Sequence, residues 1–338
     1  MSISSLMLDI AIVNDSEIAI EALRRAIANI PDYRLLWIAR TGSEAIQACA
    51  ARRPDLILMD MNMPDLDGVE ATRQIMQQSP CAILIVTASI TVNTSKVFEA
   101  MGYGALDVVK TPRDGDYRGL FKKMAMVVRL IRPSRPHFST SSQTAPAPLD
   151  ALRLPALIAI GASTGGPNAL YQILHRLPTS FQAAIVIVQH IDAQFAPGLA
   201  QWLDRASPLP VALARNGDRP EAGKVLIAGT NDHLILRPNQ TLRYTREPAE
   251  LAYRPSVDVF FQSVARHWGQ PGVAILLTGM GRDGAESMAL LRSLGWQTIA
   301  ESADSCVVFG MPKAAIELGG AGHILPVNRI AALALDLV

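Results

Sequence analysis

The sequence predicts an α/β protein built from two doubly wound parallel-sheet domains, and three observations carry that prediction. The chain has 338 residues, which at ~100–200 residues per domain makes about two cores. Short apolar runs alternate with amphipathic stretches along both halves, the pattern of strands and helices taking turns. Between the halves, residues 133–150 (PSRPHFSTSSQTAPAPLD) crowd Pro, Ser and Thr and lose apolar periodicity, as a linker does. The expected organisation is a domain over 1–132, a linker over 133–150 and a domain over 151–338.

In the first half, apolar runs at 9–13, 35–39, 55–59, 82–86 and 106–109 read as buried strands. Helical periodicity fills the gaps, as at 16–29, where Ile18, Ala22, Leu23, Ala26 and Ile27 are expected on one face, and at 43–53. The second half opens with a strand at 156–160, the turn GASTGGP and a helix at 167–177, for which Pro167 suits the first position. A strand at 183–188, a segment at 194–205 and a β-rich stretch at 209–246 follow. A helix at 257–268, a strand at 273–277, a helix at 285–294 and a last helix at 329–337 complete the reading. No fixed-period repeat relates the halves.

Composition narrows the function. Hydrophobic residues make up 49% and charged residues 18%, a globular balance that excludes disorder as the dominant state. Lys+Arg 31 against Asp+Glu 30 leaves a net charge of +1, no field for gripping a polyanion, so nucleic acid is not expected as the substrate. No apolar run approaches the ~18 residues that span a bilayer, and the N-terminus lacks the basic start of a secretory signal. No membrane insertion and a cytoplasmic location are expected. Cys49, Cys81 and Cys306 form no C-x-x-C pair, so neither a cysteine metal site nor a disulfide framework is expected.

Ligands of parallel α/β sheets bind beyond the carboxyl ends of the strands, and in the first half those ends are polar in a specific way. They carry Asn14-Asp15, Asp60 within ILMDMNMPDLDG, Thr87, and Lys110. Two carboxylates suit Mg²⁺, and an ammonium beside them can neutralise a phosphoryl group arriving on one of them. On these residues the segment 8–132 resembles a response-regulator receiver domain. The resemblance implies a flavodoxin-like fold and phosphorylation of Asp60 by a histidine kinase. It further implies Mg²⁺ held by Asp15, Asp60 and the backbone carbonyl of Asn62, with Thr87 contacting the phosphoryl group and Lys110 pairing with it. Receivers usually carry two adjacent acids at the first strand end; the first here is Asn14, so weakened Mg²⁺ binding is expected.

In the second half, Gly161-Ala162-Ser163-Thr164-Gly165 fits G-x-S-x-G between a strand and a helix, the context of a nucleophile elbow. The helix start would aim N–H groups at an oxyanion formed there. The competing reading, a glycine-rich phosphate turn, lacks both G-x-G-x-x-G and G-x-x-x-x-G-K. Of the six histidines, His190 follows a strand on the same sheet edge and is the expected base. His137 falls in the linker, His175 and His267 in helices, and His233 and His323 beside turns. Asp283, in the turn TGMGRDGA, is the expected orienting carboxylate; Asp192 is the rival, awkwardly close to His190 along the chain. The order Ser163, His190, Asp283 differs from that of α/β-hydrolases.

IGASTGGP, VQHI and LLTGMGRDGA together are similar to the catalytic domain of the CheB protein-glutamate methylesterases. That resemblance implies a three-layer α/β/α domain in which Ser163 attacks a receptor glutamate methyl ester, His190 serves as base and then acid, and Asp283 orients it. Backbone near Thr164 and Met280 would form the oxyanion site, and methanol would be released. The family also deamidates receptor glutamines. Implied partners are a CheA-type histidine kinase and the cytoplasmic domains of methyl-accepting chemoreceptors, with the unphosphorylated receiver covering the catalytic cleft. IVND and VFEAMGYGALDVV are similar to the methylesterase of Wsp-type surface-sensing systems, which leaves a flagellar and a cyclic-dinucleotide output both open. Two other classes compete. A phosphorylation-dependent binding module with a vestigial hydrolase sits poorly with an intact Ser163, His190 and Asp283, and a dinucleotide oxidoreductase lacks its glycine fingerprint.

Overall fold

The strands at 8–13, 56–59 and 82–87 of the first unit are near-continuous apolar runs buried along almost their whole length, which demands cover on both faces. The computed structural model describes residues 7–88, 90–113, 115–131, 154–251 and 253–338. The chain divides into two units, Met1–Pro136 and His137–Val338. The expected linker at 133–150, with His137, lies outside the described residues.

In the first unit, β1 (Leu8–Val13), β2 (Tyr33–Ala39), β3 (Leu56–Met59), β4 (Ala82–Thr87) and β5 (Asp107–Lys110) alternate with α1 (Glu17–Ala28), α2 (Gly42–Ala51), α3 (Gly68–Gln78), α4 (Ile90–Gly102) and α5 (Arg118–Ile131). All pairings are parallel and the order is β2-β1-β3-β4-β5, a doubly wound sheet whose strand order reverses beside β1. Helix α1 starts where Ser16 accepts a hydrogen bond from the Ala19 N–H, and Glu17 sits in its positive first turn. Its buried face is Ala19, Ile20, Leu23, Ala26 and Ile27. This corrects the expected face, since Ile18 is 85% exposed and Ala22 is half-buried. The stripe is set by Ile20 and Leu23, which pack with Ile10, Ile12 and Leu58, each worth ~1.5–3 kcal/mol in burial. Cys49 and Cys81, far apart in sequence, come to 3.9 Å between sulfurs as free thiols.

The second unit contains β6 (Leu157–Ala162), α6 (Gly166–Leu174), β7 (Ala184–Gln189), α7 (Ala196–Ala206), β8 (Val211–Leu213), β9 (Val225–Ile227), β10 (His233–Leu236) and β11 (Leu242–Thr245). It continues with α8 (Val257–His267), β12 (Val273–Leu276), α9 (Ala285–Ser293), β13 (Gln297–Glu301), α10 (Met311–Glu317), β14 (His323–Leu325) and α11 (Val327–Asp336). Seven strands form one sheet in the order β14-β13-β12-β6-β7-β9-β8, and β10 and β11 form a separate antiparallel hairpin. The order reverses at β6, so the ends of β6, β7 and β12 open onto one crevice. The core gathers Phe260, Phe261, Leu276, Met288 and Met311 against the strands.

The sequence reading passed over β13, α10 and β14. β13 reads QTIAE, with only two strongly apolar or β-branched residues in its centre, and β14 has three residues; tertiary pairing rather than local pattern makes them strands. His233 and His323, expected beside turns, directly follow bends and open β10 and β14. His175 caps α6 just beyond its last turn, whereas the helix had been expected to run on to 177.

Candidate functional site

Ser163 and His190 are brought together by register. Ala162 on β6 and Gln189 on β7 are paired, and the next residue on each strand is Ser163 and His190, so their Cα atoms start about 5 Å apart, the spacing of neighbouring strands. The His190 N–H continues the ladder by donating to the Ala162 carbonyl at 2.9 Å. Ser163 is 2% exposed. After it the chain turns sharply through Gly165, whose φ of +80° is the left-handed conformation that glycine alone adopts without strain.

Every carbonyl in this turn has a partner that fixes it. The Gln189 side-chain amide donates to the Ser163 carbonyl at 2.8 Å, and the Thr278 hydroxyl donates to the Thr164 carbonyl at 2.9 Å. The Ser163 N–H donates to the Thr278 carbonyl at 3.0 Å, so it is committed to the scaffold rather than to an oxyanion. Thr278 is itself anchored: its N–H donates to the buried Glu301 carboxylate at 2.8 Å. Burial pushes the Glu301 carboxyl above its ordinary value, against hydrogen bonds from Thr278 and Ser305. The strand end after β12 then lies directly on the serine, because a Cβ placed on Gly279 would stand 2.7 Å from Ser163 Cβ. Met280 follows, and among the described residues no acceptor takes its N–H.

Asp283 reaches His190 from the turn that opens α9. Its Oδ2 lies 2.7 Å from His190 Nε2, and both side chains are less than a tenth exposed. The other ring nitrogen, Nδ1, is buried with no hydrogen-bond partner among the described residues. The carboxylate is gripped from its far side by the start of α8. The Ser256 hydroxyl donates to Oδ1 at 2.7 Å, the Val257 N–H to Oδ2 at 2.7 Å and the Asp258 N–H to Oδ1 at 3.0 Å. A helix N-terminus is a natural seat for an anion. Burial alone would push the Asp283 carboxyl up, but the His190 hydrogen bond and charge, the Asp258 amide and the Ser256 hydroxyl outweigh it and hold it below its ordinary range. The rival Asp192 is spent locally, accepting from the Gln194 N–H at 2.9 Å. Buried His233 also serves structure, its Nδ1 accepting the Ser256 N–H at 3.1 Å.

The first unit gathers its polar strand ends in the same manner. Val13 pairs with Met59 and Thr87 with Lys110, and the Asp60 N–H donates to the Val13 carbonyl at 2.9 Å. This sets Asp15, Asp60, Thr87 and Lys110 along one sheet edge. Burial pushes the Asp60 carboxyl up to about 6, the Asp15 charge adding to it while the Met61 and Asn62 amides oppose. A buried carboxylate raised by its acidic neighbour is an electrostatic deficit that a divalent cation fills, and two carboxylates with the Asn62 carbonyl are a hard-oxygen donor set. The residues present therefore fit Mg²⁺. Asn14 adds no charge and its amide is already in use, Oδ1 accepting the Ser16 N–H at 2.9 Å. Among the described residues, no cluster of three or more His, Cys, Asp or Glu forms a metal site.

Comparison with known proteins gives this geometry its family. Residues 158–334 match the family described as CheB methylesterase, and residues 10–116 match the response regulator receiver domain. The chain belongs to the CheB methylesterase family. It is 52% identical over 337 residues to a Burkholderia pseudomallei protein-glutamate methylesterase/protein-glutamine glutaminase, covering 98% of each chain. It is 51% identical over 329 residues to the protein of the same name from the group 3 operon of Pseudomonas putida, covering 95% of this chain and 97% of that one. Among solved structures, the catalytic domain of Thermotoga maritima CheB methylesterase aligns at 37% identity with a TM-score of 0.53, covering 54% of this chain and 98% of that one.

Several groups at the site of this CheB-family chain were not singled out from sequence: Gln189, Tyr253, Ser256, Thr278 and Glu301. Ser256 carried a legible signal, a serine immediately before an apolar-periodic helix with Asp258 in its first turn, which is an N-cap pattern. That its hydroxyl would turn to Asp283 as well as to the Val259 N–H is a matter of tertiary placement.

Proposed function

We propose that the chain is a phosphorylation-regulated serine hydrolase that demethylates glutamate methyl esters on chemoreceptors and deamidates receptor glutamines. The observation that supports this reading is the 2.7 Å contact between His190 Nε2 and Asp283, which leaves Nδ1, buried and without a hydrogen-bond partner among the described residues, as the ring nitrogen available to take a serine proton. With Nε2–H donating to Asp283, the tautomer presents the Nδ1 lone pair as the base.

Ser163 Oγ attacks the γ-carboxyl carbon while its proton passes to His190 Nδ1. The imidazolium is stabilised by the Asp283 carboxylate, which stays charged because α8 holds it. The Met280 N–H, with backbone near Thr164, receives the developing oxyanion; the Ser163 N–H does not take part, since Thr278 holds it. His190 returns the proton to the departing methoxide oxygen, giving methanol, or to the departing amide nitrogen of a glutamine, giving ammonia, and then activates the water that frees the glutamate from Ser163.

In the receiver, Asp60 accepts the phosphoryl group from a CheA-type histidine kinase, with Thr87 and Lys110 contacting that group. Asp15, Asp60 and the Asn62 carbonyl would hold Mg²⁺, which supplies charge neutralisation for the incoming phosphoryl group. A cytoplasmic location follows from these partners, and no helix among the described residues is long and apolar enough to cross a membrane. The domain limits 1–132 and 151–338, joined by the linker at 133–150, remain our reading of the composition. The experiment is methanol release from carboxyl-methylated receptor membranes by the full chain with and without a small phosphodonor: stimulation supports the regulated reading, and equal rates oppose regulation. No release in either condition would favour a binding module with a vestigial hydrolase.

A further inference from the structure

One face of the His190 ring is covered by the side chain of Tyr253. The Tyr253 ring lies parallel to the imidazole, with centroids 4.5 Å apart and planes 3° from one another. The far edge of the tyrosine reaches the catalytic turn: a Cβ on Gly281 would stand 3.3 Å from the Tyr253 hydroxyl. Three residues later the same segment supplies Ser256, and the next two residues supply the Val257 and Asp258 amides that hold Asp283. One short stretch, 253–258, therefore fixes both the plane of the imidazole and the carboxylate that orients it.

We propose that Tyr253 is a positioning residue of the hydrolase, its ring locking the His190 plane so that Nε2 stays on Asp283 and Nδ1 is left to serve Ser163 as base. The inference rests on the serine-hydrolase reading of the site. The contact with Asp283 fixes one ring nitrogen, and a flat surface against the ring face further restrains rotation of the imidazole about its Cβ–Cγ bond. An aromatic ring does so and also favours the imidazolium that forms as the serine proton transfers, because the ring face is electron-rich. An aliphatic side chain would fill the space without either effect. The hydroxyl is incidental to this role.

The test uses the full chain activated by a small phosphodonor, with carboxyl-methylated receptor membranes as substrate and methanol release as the readout. Tyr253→Leu is expected to lower kcat roughly tenfold, near the upper end of what a stacked ring pair is worth, with KM within about twofold of wild type. Tyr253→Phe is expected to restore kcat to within about twofold, which a lost hydroxyl hydrogen bond would not allow. Tyr253→Gln is a second non-aromatic variant should the leucine melt early, and it should behave as the leucine does. A raised KM at unchanged kcat would make Tyr253 a substrate-binding surface and overturn the proposal; so would a phenylalanine variant as slow as the leucine, or a leucine variant with wild-type kcat. If wild type itself releases no methanol while Ser163→Ala is equally silent, the hydrolase reading fails rather than the positioning role.

Discussion

Replacing Ser256 with alanine separates the orientation of the triad from its mere presence. The hydroxyl does two things at once: it donates to Asp283 Oδ1 at 2.7 Å and accepts from the Val259 N–H at 3.3 Å as the N-cap of α8. A hydrogen bond to a charged group contributes about 1.5–3 kcal/mol, and loss of a serine cap costs about 1 kcal/mol. After the substitution Asp283 keeps three donors, His190, Val257 and Asp258, so the lower end of the first range applies and the total loss is about 2–3 kcal/mol. For a domain of ~150–250 residues that lowers Tm by roughly 4–12 °C. If the loosened carboxylate passes its ~1.5 kcal/mol on to the transition state, kcat falls about tenfold. Methanol release measured well below the melting temperature, beside a thermal melt, checks both numbers. Ser256→Thr, which keeps a hydroxyl, should retain most of kcat. An alanine variant that melts early yet turns over at the wild-type rate would reduce Ser256 to a helix cap and refute its part in orienting Asp283.

Three further outcomes follow from the geometry. In the receiver, the Asp60 carboxyl rises from its ordinary 3.8 to about 6, so the fold disfavours its ionised form: the penalty is absent below about 4 and complete above about 6. Without divalent cation, Asp60→Asn should therefore stabilise the receiver at pH 7 by about 2 kcal/mol after allowance for solvent screening, with the gain vanishing toward pH 4; melts across that range would contradict this if the difference were flat. Asn14→Asp adds a second acid at the end of β1 while keeping an oxygen that can accept the Ser16 N–H, so it should tighten Mg²⁺ binding severalfold in a calorimetric titration; unchanged affinity would show that Asp15 and Asp60 already set it. Gly279→Ala would drive a methyl to 2.3 Å from Met311 Sδ and 2.7 Å from Ser163 Cβ, so kcat should drop at least tenfold, and a wild-type rate would mean that the turn yields.

Legibility from sequence followed the range of the interaction concerned. The placement of these residues at strand ends could be read because ligand sites of parallel sheets lie at the carboxyl edges: Ser163, Asp60, Thr87 and Lys110 directly follow or end an apolar run, and His190 comes one residue after one. Asp283 was reachable for the same reason, through the turn after β12. What lay beyond reach was contact between elements distant in the chain. Nothing local to Gln189, Thr278 or Glu301 says that they tie the nucleophile turn together, since each acts across 23–114 residues of sequence. The α1 face was misjudged for a related reason. Ile18 and Ile20 lie two positions apart and cannot share a helix face, and only the packing against β1 and β3 decides for Ile20.

Ser163, with His190 as its base, is proposed to hydrolyse receptor methyl esters. The most direct measurement is methanol release from carboxyl-methylated chemoreceptor membranes by wild type and by Ser163→Ala, each in the presence of a small phosphodonor. Release by the wild type and none above background by the alanine variant is expected, with both chains melting alike. Release by Ser163→Ala at the wild-type rate would contradict it.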